Sequence, residues 1–204
     1  MTTHAGLARP SDWLLRWLHL LSPGRTALDL ACGSGRHVRV LAGVGLQVTA
    51  VDRDAAALAG LADVAGVDTV CADLESAAWP LAGRSFDLVL VTNYLWRPLL
   101  ADIVAAVDPG GLLIYETFAL GQETVGRPSR PEFLLRPGEL LAAAQPELQV
   151  LAYEDGWLPG APPRRVQRLL ARRPGATAPG VASGPAGAGG DWPQQLRLLP
   201  DDAA

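Results

Sequence analysis

The chain has 204 residues, 49% of them hydrophobic and 19% charged. That suits one domain with a sizeable core, with or without a tail, and argues against a disordered or membrane-spanning chain. The formal charge of −4 gives no overall basic face for tight, non-specific nucleic-acid binding, although a local basic patch is still allowed.

Cys32 and Cys71 fit neither a metal-ligand spacing nor a disulfide framework. They read as small buried hydrophobes in a reducing compartment, and no metal is expected. The N-terminus lacks the plan of a signal peptide. The apolar stretch Trp13 to Leu21 is broken by Arg16 and His19 and is too short to cross a bilayer. The expectation is a cytoplasmic protein with no membrane partner.

Ser11 and Asp12 are candidate helix caps. After them Trp13, Leu14, Trp17, Leu18 and Leu21 share one helical face, and Pro23-Gly24 stops the segment. The helix should cover the edge or mouth of the domain. Strand and helix then alternate. Strands are predicted at Thr26 to Leu30, Gln47 to Val51, Asp68 to Cys71, Phe86 to Val91 and Leu112 to Thr117. Helices are predicted at Arg36 to Val44, Ala55 to Val64 and Pro98 to Val107, the last stopped by Asp108-Pro109-Gly110-Gly111. Leu120 to Arg136 is loop-like, and Arg136-Pro137-Gly138-Glu139 opens a helix through Ala144. Leu148 to Glu154 and Arg164 to Arg172 look like two closing strands that pair antiparallel at one sheet edge.

This alternation implies β-α-β crossovers. The expected fold is α/β: a Rossmann-like, doubly wound, mostly parallel seven-stranded sheet with an antiparallel edge strand. Residues 1–24 should form a helical cap and residues 25–173 the main domain. Residues 174–204 turn rich in Gly, Ala and Pro and should be a disordered tail, in which Trp192 and Leu196 to Leu199 could dock weakly.

In such a sheet, ligands bind beyond the carboxyl ends of the strands, where the strand order reverses. The loop Cys32-Gly33-Ser34-Gly35 follows the first strand at that place. Its glycines let a ligand approach the main chain, and the next helix offers free N–H groups to a negative group. Asp52 follows the second strand, 19 residues after Gly33, where a carboxylate can accept from the vicinal hydroxyls of a ribose. A dinucleotide loop wants a third small residue where Val38 stands. Asp29, inside the first strand, suits an ammonium group better than a pyrophosphate. These features favour S-adenosylmethionine over a nicotinamide cofactor, which stays the rival enzyme reading. Asp73 in Cys71-Ala72-Asp73-Leu74 could accept from an adenine amino group while the Leu74 amide donates to the ring.

Taken with Phe86 to Asn93 and Pro109-Gly110-Gly111, the ordered set resembles the class I S-adenosylmethionine-dependent methyltransferases over roughly residues 25 to 172. Thr117 to Gln122, Gly126-Arg127-Pro128 and Phe133 to Leu140 are similar to the small bacterial methyltransferases related to the tellurite-resistance methyltransferase. Ala31 stands where that family commonly has glycine. The resemblance implies S-adenosyl-L-methionine as cofactor. The implied cofactor-binding set is Asp29, Cys32, Gly33, Gly35, Asp52, Arg53, Asp73, Leu74 and Thr92.

Each of these residues has a plainer use. Gly33 and Gly35 could serve a tight turn alone, Asp52 could cap the next helix, and Asp73 could be a turn residue. Asp87 is expected to support the sheet or a loop, and His37 to be solvated or cap-like rather than a base. On the acceptor side, Asn93, Tyr94, Trp96 and Thr117 are the candidates, with Glu116 and Phe118 beside them. Arg127, Arg130 and Arg136 are either an anion site or a solvated loop. No His or Lys stands beside Asn93-Tyr94, in keeping with a chalcogen, thiol or metalloid acceptor that needs no general base. A small molecule is the expected partner, RNA the alternative, and a cofactor-binding module without catalysis the third reading.

Overall fold

The computed structural model describes residues 9–76, 78–145 and 147–175. The expected tail from residue 176 onward, with Trp192 and Leu196 to Leu199, lies outside the described residues. The elements are α1 (Asp12–Trp17), β1 (Thr26–Leu30), α2 (Arg36–Gly43), β2 (Gln47–Asp52), α3 (Ala55–Ala59), β3 (Val67–Cys71), β4 (Phe86–Thr92), α4 (Leu100–Ala105), β5 (Val107–Phe118), α5 (Glu139–Ala144), β6 (Gln149–Leu158) and β7 (Arg164–Arg172).

The seven strands run in the order β3-β2-β1-β4-β5-β7-β6. Strands β1 to β5 pair in parallel. Strand β7 runs against both β5 and β6. The reversed strand is therefore one place in from the edge, and β6 is the edge strand. The strand order reverses between β1 and β4, so the crevice opens beyond Leu30 and Thr92.

Strand side chains alternate between the two faces. Leu28, Leu30, Val89, Val91, Leu113 and Tyr115 join Ile103, Val104, Leu140 and Ala144 of α4 and α5 on one face. Ala27, Leu88, Leu90, Leu112 and Ile114 join Trp13, Leu14, Trp17, Val38, Leu41 and Leu58 of α1, α2 and α3 on the other. The first helix thus lies on the face of the central strands rather than at the mouth. Ser11 caps it by accepting from the Trp13 amide, and the Trp13 indole N–H donates to the Leu169 carbonyl at 3.1 Å.

Two helices are shorter than their patterns suggested. Helix α3 ends at Ala59 with Gly60 as its C-cap, and Leu61 turns inward to pack against Gly35. Before α4 comes a single 3-10 turn, Arg97–Leu99, with proline in its first positions. The segment read as a helix stop belongs to β5, which starts at Val107 and passes the positive φ of Gly110 in a register shift against β4.

Candidate active site

The glycine loop is held by main-chain hydrogen bonds. The Cys32 amide donates to the Val51 carbonyl at 3.0 Å, and the Gly35 amide to the Cys32 carbonyl at 3.0 Å. Gly33 and Gly35 have φ of +55° and +77°, which L side chains adopt at a cost. A Cβ on Gly35 would run into Leu61, whereas one on Gly33 would meet nothing within 4 Å. Gly35 is therefore required by the protein's own packing, and the space beside Gly33 is open. Ala31, where glycine is common in the resembling family, also has a positive φ of 54°.

Asp52 ends β2 beside this loop. Its Oδ2 accepts from the Gly33 amide at 2.7 Å and its Oδ1 from the Asp54 amide at 2.9 Å. Asp54, not Asp52, caps α3, accepting from the Ala56 and Ala57 amides. Each Asp52 oxygen retains a further lone pair for a donor. Beneath the loop, Asp29 is 1% exposed, and neither oxygen has a well-formed hydrogen bond, the Val38 amide giving it only weak support. Burial pushes its carboxyl up to about 8, against the pull of Arg36 and with a further push from Asp52. Buried carboxylates without partners are costly, so the loop holds an acid to which a cation would be welcome.

A chamber half open to solvent lies beside these groups, lined by Ala31, Asp52, Arg53, Ala72, Asp73, Leu74, Glu75 and Tyr94. Four of the predicted cofactor residues, Asp52, Arg53, Asp73 and Leu74, line it together. Asp73 also accepts from the Glu75 amide at 3.0 Å, and this hydrogen bond helps hold its carboxyl below the usual range. It is a turn residue and a wall residue at once. Asp29, Cys32, Gly33 and Gly35 form the neighbouring loop and its floor. Thr92 is not part of this lining; its hydroxyl lies 3.3 Å from His37 Nδ1.

A second, wider chamber adjoins the first and shares Arg53, Glu75 and Tyr94 with it. Asn93, Leu95, Thr117, Phe118, Pro128 and Phe133 complete its lining. Three of the four acceptor-side candidates, Asn93, Tyr94 and Thr117, meet here. Trp96 does not; it packs against the core face of α4 and α5. Asn93 leaves β4 at φ +55°, a conformation asparagine tolerates better than most residues. The Tyr115 hydroxyl donates to the Tyr94 carbonyl at 3.0 Å and fixes that turn. The Tyr94 hydroxyl is buried and without a partner; burial and the nearby Glu75 and Asp73 raise its pKa and keep it protonated.

Other expectations need correction. His37 is buried rather than solvated: the first turn of α2 faces the N-terminal segment, and its Nε2 accepts from the Ser11 amide at 3.1 Å. Burial lowers its pKa to about 4, so it is a neutral acceptor. Cys71 is exposed, because β3 is an outer strand with little cover. Cys32 is buried as expected, its thiol pushed up to about 12 by desolvation. Asp87 does support the sheet, accepting from Arg25 at 2.9 Å and from the Thr26 amide at 2.9 Å. Arg130 pairs with Glu132 and covers Phe133, while Arg127 and Arg136 have exposed side chains.

Sequence reasoning missed Glu75 as a wall of both chambers, although it stands two residues after Asp73. It also missed a buried cluster at the end of β5. Glu116 lies 2.7 Å from Arg168 Nε and accepts from the Ser11 hydroxyl at 3.1 Å. Arg168 reaches on to Glu154 at 3.2 Å. Ser11, Glu154 and Arg168 all lie 38 or more residues from Glu116 along the chain, beyond any local pattern.

Residues 27–111 match the family model described as a methyltransferase domain. The ubiquinone biosynthesis O-methyltransferase of Burkholderia multivorans is 36% identical over 115 residues, 50% of this chain and 49% of that protein. The chain thus spans about half the length of the curated relatives it matches. Among solved structures, TehB from Haemophilus influenzae superposes with a TM-score of 0.68 at 20% identity, over 83% of this chain and 64% of that one. The N-methyltransferase NodS from Bradyrhizobium japonicum WM9 gives a TM-score of 0.62 at 16% identity, over 80% and 93% of the two chains. At such identities the likeness is one of fold. No helix among the described residues is long and apolar enough to cross a membrane, and no group of metal-binding side chains occurs among them.

Proposed function

From a chain that carries an S-adenosylmethionine-dependent methyltransferase domain and fold, we propose that it transfers a methyl group to a small-molecule acceptor by in-line displacement. The domain implies S-adenosylmethionine as cofactor, and the residues fit it. Asp52 would hold the ribose hydroxyls, and the amides around Gly33 and Gly35 the α-carboxylate. Asp29 would sit opposite the α-ammonium from beneath the loop. Asp73 and the Leu74 amide would read the adenine, with Arg53, Cys32 and Thr92 shaping the surroundings. When bound, the cofactor supplies a methyl carbon on a sulfonium that leaves with the bond's electron pair. The protein's own part is to align the acceptor and exclude water, and such positioning contributes up to roughly 7–11 kcal/mol in favourable cases.

The observation that carries this reading is the first chamber. It lies where the strand order reverses, with Asp52 on its wall and the open face of Gly33 beside it. The second chamber, against the same wall, supports a small acceptor. The chain contains no lysine, and no histidine lines that chamber. A chalcogen, thiol or metalloid acceptor, already nucleophilic, would need no strong base. Residues 25–173 would form the catalytic unit, with the segment at residues 9–24 covering it. Two free thiols go with a cytoplasmic setting.

Isothermal titration with S-adenosylmethionine and S-adenosylhomocysteine tests the site. Saturable binding, lost on combining Asp52→Ala with Gly33→Val, is the expected result; full affinity in that double variant removes the site. A radiolabelled methyl-transfer screen over metabolite and RNA fractions then tests the activity. Label in the RNA fraction alone would replace the small-molecule acceptor by RNA, and binding without any transfer would leave a cofactor-binding module.

A further inference from the structure

We infer that the second chamber is a subsite for a compact planar aromatic acceptor, a single ring bearing a hydroxyl or thiol. This rests on the methyltransferase reading and narrows its acceptor class. The chain has three phenylalanines. Phe86 is buried in the core, and the other two, Phe118 and Phe133, belong to neither core face and line this chamber instead. Both are only partly buried, so their rings serve the cavity and not the packing of the sheet.

The chamber's rings are held in place. Leu135 donates its amide to the Phe118 carbonyl at 2.9 Å, and Leu120 to the Leu135 carbonyl at 2.9 Å, which ties the end of β5 to the segment after Phe133. Arg97 donates to the Glu132 carbonyl at 2.7 Å and the Leu134 carbonyl at 2.8 Å, on either side of Phe133, and forks onto Glu139. The Arg130 guanidinium sits 5.3 Å from the centre of the Phe133 ring. Aromatic pairs with centroids about 4.5–7 Å apart attract beyond their area alone, so a flat ring between these walls and Tyr94 gains what a linear chain does not.

Beside the rings the lining carries Arg53, Glu75, Asn93 and Thr117, polar side chains that can meet a heteroatom on the ring's edge. Tyr94 stands on the wall shared with the cofactor chamber and adds a third aromatic side chain to the lining, although its hydroxyl is itself buried. Glu75 lines the same wall and can take up a proton from an acceptor hydroxyl or thiol. A metalloid oxyanion would meet Arg53 but also the Glu75 carboxylate, and would leave the rings without a use.

The test is binding to the full chain saturated with S-adenosylhomocysteine, followed by calorimetry and ligand-observed NMR. The probes are catechol, thiophenol, 1-propanethiol and sodium selenite. The aromatic probes should bind about tenfold or more tighter than propanethiol and selenite. Phe133→Ser should weaken them about tenfold and leave the affinity for S-adenosylhomocysteine within about twofold. Comparing catechol with thiophenol tells oxygen from sulfur. Equal or tighter binding of propanethiol or selenite, or aromatic binding unmoved by Phe133→Ser, overturns the subsite. If S-adenosylhomocysteine itself fails to bind, the cofactor reading has failed, and the same probes titrated into the chain alone still decide the chamber's preference.

Discussion

Asp29→Asn separates the chemistry of the buried acid from its shape. In the folded chain this carboxyl is raised from 3.8 to about 8 by burial. Between those values the folded state keeps a proton that the unfolded state has released. Stability must therefore fall as pH rises from about 4 to about 8 and become level above that. At about 1.4 kcal/mol per pKa unit, the full window is on the order of 5 kcal/mol. Asparagine has nearly the same shape and cannot ionise, so the variant lacks this slope while sharing every other titrating group. Urea unfolding of both chains at pH 5, 6, 7 and 8 should show the variant gaining on the parent by about 4 kcal/mol across the series. Curves that stay parallel within about 1 kcal/mol, or a gap that narrows with pH, would refute the reasoning. The same pair tests the link to binding. At pH 7 an ammonium seated opposite Asp29 favours its ionised form, so S-adenosylhomocysteine should release a proton from the parent but not from the variant. Calorimetry in two buffers of different ionisation heat reads that difference.

Three further outcomes follow from neighbouring features. Ala31→Gly should raise stability by about 0.5–1 kcal/mol, because relief of the positive φ outweighs the added freedom of the unfolded chain; differential scanning calorimetry should show a Tm higher by about 1–4 °C, and a lower Tm would contradict it. Gly35→Ala should cost at least about 1–2 kcal/mol from its φ of +77°, and pairing it with Leu61→Ala in a denaturation double-mutant cycle should give a coupling above about 0.5 kcal/mol. Arg168→Met should destabilise by about 3–5 kcal/mol, since Glu116 then keeps a buried charge without its close partner; adding Glu116→Gln should recover part of that loss in urea unfolding.

The parallel half of the fold could be read from the chain because its signals are local. Thr26 to Leu30 is a continuous apolar run with one acid, and Gly33 and Gly35 break it at a turn that needs positive φ. Asp52 was placed by its distance from that turn. The end of α3 was not legible, because the inward turn of Leu61 depends on its packing against Gly35, a contact the helical period cannot contain. Long-range pairs hid other residues. His37 looks solvated until the Ser11 amide, 26 residues earlier, is brought onto it. The exposure of Cys71 follows from the position of β3 at the outside of the sheet, which local sequence does not record. The second chamber was only half visible. Asn93, Tyr94 and Thr117 follow strands, but Pro128 and Phe133 come from a loop that the Arg97–Glu139 pair and Leu135 fold back over them.

Arg53, Glu75 and Tyr94 stand between two rooms as a party wall. One room is furnished by the strand ends and the glycine loop, parts the sheet cannot lose without unravelling. The other is closed on its far side by Phe118 at the end of β5 and by Pro128 and Phe133, the last two carried on a stretch that the central strands do not need. A lineage can therefore refurnish the second room, one loop residue at a time, and leave the first untouched.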